Sequence, residues 1–110
     1  MPRRGELYDG TFSDRQQVVI VVSEDARNAS WPTVLVAPVV RDPLLAQTFS
    51  IETTVKLGDA EPVEGRVLCD FIFTAKVAEF TTSDLLGEVS GTAVEQINRA
   101  LVKVFDIKGF

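Results

Sequence analysis

Two uninterrupted aliphatic runs constrain this chain more than any other feature. They are Val18-Val19-Ile20-Val21-Val22 and Val34-Leu35-Val36-Ala37-Pro38-Val39-Val40. β-Branched side chains are stiff at χ1 and fit a pleated sheet better than a helix. A strand with one buried face alternates apolar and polar residues, whereas a strand that is apolar at every position is covered on both faces. The two segments therefore belong in the interior of a sheet with apolar material above and below. Each is too short to span a bilayer. Pro38 has no amide hydrogen and weakens a central position or marks a kink within the second run.

Weaker signals surround these runs. Glu6–Phe12 reads as a first strand, with Asp9-Gly10 as a bulge or early turn, and residues 13–16 as a polar connection. Residues 23–32 are turn-rich, with a helical turn around Glu24–Arg27. Residues 41–48 form a long gap suited to a functional loop. Phe49–Lys56 alternates as a half-exposed strand, and Gly58–Pro62 reads as a turn. Glu64–Thr74 reads as one strand with Val67, Cys69, Phe71 and Phe73 on one side, followed by a short strand or turn through Val77 and Phe80. Ser83–Leu86 reads as a helical turn ended by Gly87. The last element is an amphipathic helix. Thr92 and Glu95 form a capping-box pattern, and Val94, Ile97, Leu101, Val104 and Phe105 make one stripe. Glu95 and Arg99 add a pair one turn apart. Asp106–Phe110 ends the helix. The fold class is mainly β (α+β): a twisted antiparallel sheet or small barrel closed by a C-terminal helix, in a single domain over residues 1–110.

Composition removes several chemistries. The 110 residues include no histidine and a single cysteine, Cys69. A histidine-based triad is excluded, and so is an intrachain disulfide. Cys69 reads as a small buried hydrophobe, and no metal or cofactor is expected. The N-terminal segment has arginines but no following apolar stretch, so it does not read as a signal peptide, and the expected location is the cytoplasm without membrane association. The net charge is −5, which counts against broad charge-driven binding to nucleic acid but leaves room for a local basic groove. The asymmetry lies along the chain: residues 1–41 balance five bases against five acids, and residues 42–110 set six against eleven.

The order of segments resembles one known family. Arg3-Arg4-Gly5-Glu6-Leu7-Tyr8 is similar to the opening R-G-[ED]-[LIV]-[WY] of MazF/PemK toxins. Val18–Asp25 with Asn28 resembles that family's second strand and turn, and Val34–Val39 its third strand. Gly65–Thr74 resembles its G-x-V-x-x-D-[QN]-[IVP]-R-T block, and Gly87-Glu88-Val89-Ser90 with the final helix resembles its ending. The resemblance implies an SH3-like barrel shared with CcdB toxins and a homodimer. It also implies metal-independent, sequence-specific cleavage of single-stranded RNA, inhibiting growth until a cognate antitoxin binds. The departures are local. Arg15-Gln16-Gln17 stands where the family has arginine-proline, Val40-Arg41 where it has threonine-serine, and Phe73 where it has arginine.

Metal-free RNA cleavage by 2′-oxygen attack needs a base, an acid and cations for the phosphorane charge. Without histidine the base must be a carboxylate. The residues that the resemblance and this chemistry single out are Arg15, Glu6 and Asp70 as catalytic groups, with Arg41, Gln16 and Trp31 contacting RNA. Each has a plainer reading: Glu6 as a solvated edge charge, Asp70 as a partner of backbone amides, Arg15 as soluble surface, Arg41-Asp42 as a local ion pair, and Phe71 and Phe73 as core or interface. Thr33 and Thr53 are the threonines left to replace the missing hydroxyl. Two other functions stay open. One is a catalytically degenerate binder of an antitoxin. The other is a CcdB-like inhibitor of DNA gyrase, which the tail Lys108-Gly109-Phe110 faintly matches.

Overall fold

The computed structural model describes residues 1–105. Seven strands among them form one curled sheet: β1 (Glu6–Phe12), β2 (Arg15–Val21), β3 (Thr33–Val40), β4 (Thr54–Leu57), β5 (Gly65–Leu68), β6 (Phe73–Lys76) and β7 (Asp84–Glu88). The spatial order is β4-β5-β3-β2-β1-β7, and β6 pairs with the half of β3 that β5 leaves free. The helices are α1 (Asp25–Ser30), α2 (Pro43–Ala46), α3 (Val77–Phe80) and α4 (Gly91–Val104).

The two aliphatic runs are central, as their composition requires. β2 pairs with β1 on one side and β3 on the other, and its residues alternate between two cores. Val18, Ile20 and Val22 face a cluster with Leu7, Val39 and Val67 that α4 covers through Ala93, Ile97 and Ala100. Val19 and Val21 face the opposite cluster of Tyr8, Phe12, Val34, Val36 and Phe80. There the Phe80 ring stands edge-on to Tyr8 at 4.9 Å and lies 5.0 Å from Phe12, geometries that aromatic quadrupoles favour. Pro38 stays in regular register opposite Val19.

The β1–β2 hairpin is tighter than the sequence suggests. Arg15 and Gln16 belong to β2, and only Ser13 and Asp14 turn the chain, both at positive φ (52° and 62°). That left-handed pair matches the twist of the strands it joins. Asp9-Gly10 makes no turn; β1 runs through it, and its irregularity against β7 lies between Leu7 and Tyr8. Gly10 is needed because Ser83 packs where a Cβ would project.

Three segments depart from the sequence expectation, each through a tertiary contact. Ser83–Leu86 is not a helical turn: residues 84–88 form edge strand β7 on β1. Gly87 sits at φ 143° against the Pro62 ring, a conformation and an approach that a side chain would oppose. Glu64–Thr74 is not one strand. A 3₁₀ turn at Cys69–Phe71 breaks it, so that β5 and β6 use different halves of β3 and the expected one-sided row ends at buried Cys69. Of the expected Phe49–Lys56 strand only Thr54–Lys56 is paired, and β4 runs one residue further to Leu57; Ile51 is exposed, and Phe49 meets exposed Phe71 edge-on at 5.7 Å.

Helix α4 begins two positions earlier than the Thr92–Glu95 pattern implies. Ser90 is its N-cap and accepts from the Ala93 amide at 3.2 Å. Glu61, from a distant loop, accepts from the Ser90 amide (2.8 Å) and hydroxyl (2.6 Å). A tertiary carboxylate thus does the work that a capping box assigns to Glu95. Among the described residues the one ion pair is Arg3–Asp25 at 3.7 Å, so Glu95–Arg99 is not formed. The N-terminus is tied down by the Arg4 amide donating to Asp25 and by the Arg4 guanidinium donating to Asn98 of α4. The segment from Asp106 to Phe110 lies outside the described residues. No helix among those described is long and apolar enough to cross a membrane.

The stripe of α4 is narrower than its sequence spacing: Ile97 is buried, whereas Phe105 is 59% exposed. Ile97→Ala is expected to lower the unfolding free energy by roughly 2–5 kcal/mol, as for other buried large-to-small changes. Phe105→Ala should shift it by no more than about 0.5 kcal/mol. Chemical denaturation of the two variants beside the parent chain measures the contrast.

Candidate functional site

The site follows from where the two cores end. Paired residues on neighbouring strands share a face. Gly10 pairs with Gln17, Val40 with Arg66, and Arg66 with Lys56. The β2–β3 register, continued one step beyond Val18–Val39, sets Gln17 beside Val40. One row, Gly10-Gln17-Val40-Arg66-Lys56, therefore crosses five strands on the face of Phe12 and Val19. Arg15, opposite Phe12, lies on the same face one step further out. The row carries cations at its Arg66–Lys56 end, and exposed Arg15 lies beyond its other end.

Helix α2 walls this row. The loop that leaves β3 is shaped by Asp42, whose carboxylate accepts from the Leu44 amide at 2.9 Å, with Pro43 at the first helical turn. The Arg41-Asp42 ion pair does not form; Asp42 is a cap and Arg41 is exposed. Between α2 and the sheet lies an open groove of about 540 Å³, with Val40 and Arg66 on its floor and Arg41, Lys56, Asp59 and Glu64 around it. Arg66 is held in place: its Nη1 donates to Thr54 Oγ1 at 2.9 Å, and that buried hydroxyl donates to the Ser50 carbonyl at 2.6 Å.

The residues singled out from sequence divide into separate groups. Arg15, Gln16 and Arg41 share one end of the sheet, because β1–β2 turns where β3 ends. Gln16 donates to Asp9 at 2.8 Å and accepts from Thr11 at 3.2 Å on the opposite face from Arg15. Glu6 is six residues along β1 from Phe12, or about 20 Å at strand rise. It accepts from the Arg3 amide (2.7 Å) and the Tyr8 hydroxyl (2.9 Å). Asp70 sits on the 3₁₀ turn and accepts from the Thr53 hydroxyl at 3.0 Å. Trp31 follows α1 at the far end of β3, 59% exposed, with the Arg27 guanidinium 5.4 Å from its ring. A single chain does not bring Arg15, Glu6 and Asp70 together. Sequence reasoning missed Lys56, Arg66 and Glu64. The signal that could have found them is the register itself, which follows only once β4 is started at Thr54 and β5 stopped at Leu68.

Two groups have shifted ionisation. Burial, then the hydrogen bond and negative charge of Glu6, push the Tyr8 phenol up to about 12. Burial, with a smaller contribution from the Asp70 charge, pushes the Cys69 thiol up to about 11. The thiol is therefore a packing group rather than a nucleophile. Among the described residues no three His, Cys, Asp or Glu side chains are grouped to hold a metal ion.

The sequence profile described as "PemK-like, MazF-like toxin of type II toxin-antitoxin system" matches residues 4–105. The chain belongs to the PemK/MazF toxin family. It is similar, at 27% identity and a TM-score of 0.85 over 100% of both chains, to an endoribonuclease from a mycobacterial species solved in complex with its cognate antitoxin. A second endoribonuclease from a mycobacterial species shares 28% identity and a TM-score of 0.82, over 99% of this chain and 95% of that one. The MazE–MazF complex of Deinococcus radiodurans (19% identity, TM-score 0.77, 97% of both chains) shows the same fold. No curated protein sequence matches this chain. The mainly β, barrel-like expectation with a terminal helix is met.

Tyr8 is the sole tyrosine, so tyrosinate absorbance reads it directly. The titration midpoint is expected near 12 in the folded protein and near 10 in denaturant. Because the folded value is the higher one, Tyr8 contributes stability that is fully present below about pH 10 and lost as pH rises through 12. Cys69 should stay unreactive toward a disulfide reagent near neutral pH until the protein is unfolded.

Proposed function

We propose that this chain is the toxin of a type II toxin–antitoxin pair and a metal-independent endoribonuclease acting on single-stranded RNA in the cytoplasm. The observation that carries the reading is end-to-end likeness, in sequence and fold together, to two mycobacterial endoribonucleases. One of those was solved with its cognate antitoxin, which supports an antitoxin as the partner here as well. The resemblance further supports a homodimer as the working form.

The groove has the ingredients for phosphodiester chemistry. Arg41, Arg66 and Lys56 offer positive charge where a phosphate would lie, and Arg15 adds a further cation on the same face. Attack of a 2′-oxygen on the neighbouring phosphorus releases the 5′-oxygen of the next nucleotide. The base takes the 2′-hydroxyl proton, and an acid returns a proton to the leaving oxygen. Glu6 and Asp70 are engaged with Tyr8 and Thr53 away from the groove. Glu64, exposed and lining the groove with Arg41, is the carboxylate we assign as base. Gln16 and Trp31 remain candidate RNA contacts, Trp31 reaching a strand only far from the groove.

Val40 favours the second reading, a toxin-fold protein that binds without cleaving. It puts an aliphatic side chain on the groove floor, where the family has a hydroxyl. Neither Thr33 nor Thr53 restores it: Thr33 begins β3 at the other end, and Thr53 donates to Asp70. The CcdB-like alternative rests on a tail outside the described residues.

Incubation of the purified chain with long, varied RNA, followed by gel analysis and end-group mapping, separates the readings. Cleavage at short recurring sequences in the presence of chelator is expected. Arg41→Ala should slow it by roughly a hundredfold, as loss of a groove cation that stabilises transition-state charge. Glu64→Gln should slow it by about a hundredfold or more, as loss of a general base. Intact RNA throughout, with an antitoxin still bound, would establish the binding-only reading.

A further inference from the structure

Lys56 and Arg66 line a second groove as well as the first. This one, of about 310 Å³, runs around the edge strand β4 toward α4, whose outer face contributes Arg99 and Lys103. Four cations and one carboxylate, Glu52, line it. Those four are more than a third of the chain's eleven bases, gathered in a protein of net charge −5. Among the described residues none of them is within ion-pair distance of a carboxylate. Arg99 and Lys103 are exposed and one helical turn apart, about 6 Å along the axis.

Neither the fold nor the core requires these charges. The buried face of α4 is made by Ala93, Ile97 and Ala100, while Arg99 and Lys103 point outward. Like charges concentrated in this way repel one another, a cost that an anionic occupant relieves. Because Arg66 and Lys56 belong to both grooves, the positive surface is continuous from Arg41 to Lys103.

We propose that this band is a track for the sugar–phosphate backbone of single-stranded RNA beyond the scissile step. The inference rests on the ribonuclease reading for the direction of the strand, but it concerns binding and not chemistry. The track adds sequence-independent phosphate contacts and extends the footprint from the α2 groove, around the β4 edge, onto α4. An acidic peptide is the other polyanion that could fit. Continuity with the α2 groove favours the nucleic acid, since a strand leaving Arg41 meets Arg66 and Lys56 before reaching α4.

The test uses a mixed-sequence 2′-O-methyl oligoribonucleotide of about 20 nucleotides, which cannot undergo 2′-oxygen attack and exceeds the span of one small binding fold. Its affinity is measured across salt concentrations for the full chain and for the double variant Arg99→Gln/Lys103→Gln. An unchanged thermal midpoint shows that the variant folds. The expected result is binding weaker by about tenfold at low salt, with the log–log salt slope reduced by about 1.4, the value for two single-strand phosphate contacts. Unchanged affinity and slope would overturn the track. So would loss of binding to a poly-glutamate peptide with oligonucleotide binding retained, which would assign the band to an acidic peptide. Cleavage of unmodified RNA is assayed in parallel. Wild-type cleavage with an unchanged slope sinks the track alone. A reduced slope without any cleavage upholds the track and sinks the ribonuclease reading.

Discussion

The antiparallel ladder of β2 and β3 is the constraint on which the rest of the structure depends. Both strands are apolar on both faces, so neither can lie at an edge or on the surface. β1 and β7 must extend the sheet on one side, with β5, β4 and β6 on the other. α4 must cover one face while Phe80 and its aromatic neighbours cover the opposite one. Functional surface can then occur only where this double cover stops. It stops at one end, where β2 begins with Arg15-Gln16-Gln17 and β3 ends with Val40-Arg41. The groove is the place where an aliphatic ladder runs out of aliphatic residues.

The elements legible in the sequence were those specified by their own composition. β1 and β3 have the expected bounds, and β2 and α4 differ by one or two residues, because their periodicity and branching suffice without a partner. The misread elements are those specified by distant chain. Ser83–Leu86 has no strong strand pattern and pairs because β1 would otherwise leave an open edge. The 3₁₀ turn at Cys69–Phe71 is invisible in an apolar run, since β5 and β6 divide β3 between them for reasons of sheet closure. The cap of α4 depends on Glu61, twenty-nine residues away from Ser90.

The same division governs the site. Arg15, Gln16 and Arg41 were legible because they lie beside the aliphatic runs, and they do converge on one end of the sheet. Glu6 was legible as an acidic residue in the opening motif but not as the acceptor for Tyr8, since that contact follows strand alternation. Arg66 and Lys56 carry no sequence signal that sets them together. Only their direct pairing across β4 and β5 sets them side by side.

Net charge is a poor guide to what such a fold can hold. Coulomb interactions between exposed groups fade within about 10 Å at moderate salt, so a ligand responds to the groups lining its groove more than to the total. In the groove beneath α4 the local balance is positive although the chain is acidic. Carboxylates elsewhere on the surface repel a polyanion that comes within this screening distance of them. The acidic balance therefore confines nucleic-acid contact to one band instead of forbidding it. That confinement bears on Val40. With no hydroxyl on the groove floor, stabilisation of the phosphorane would rest on cations alone, and Arg66 is fixed for this by Thr54 and Ser50. A guanidinium anchored before substrate arrives need not reorganise during reaction, which is the condition under which electrostatic stabilisation is most effective.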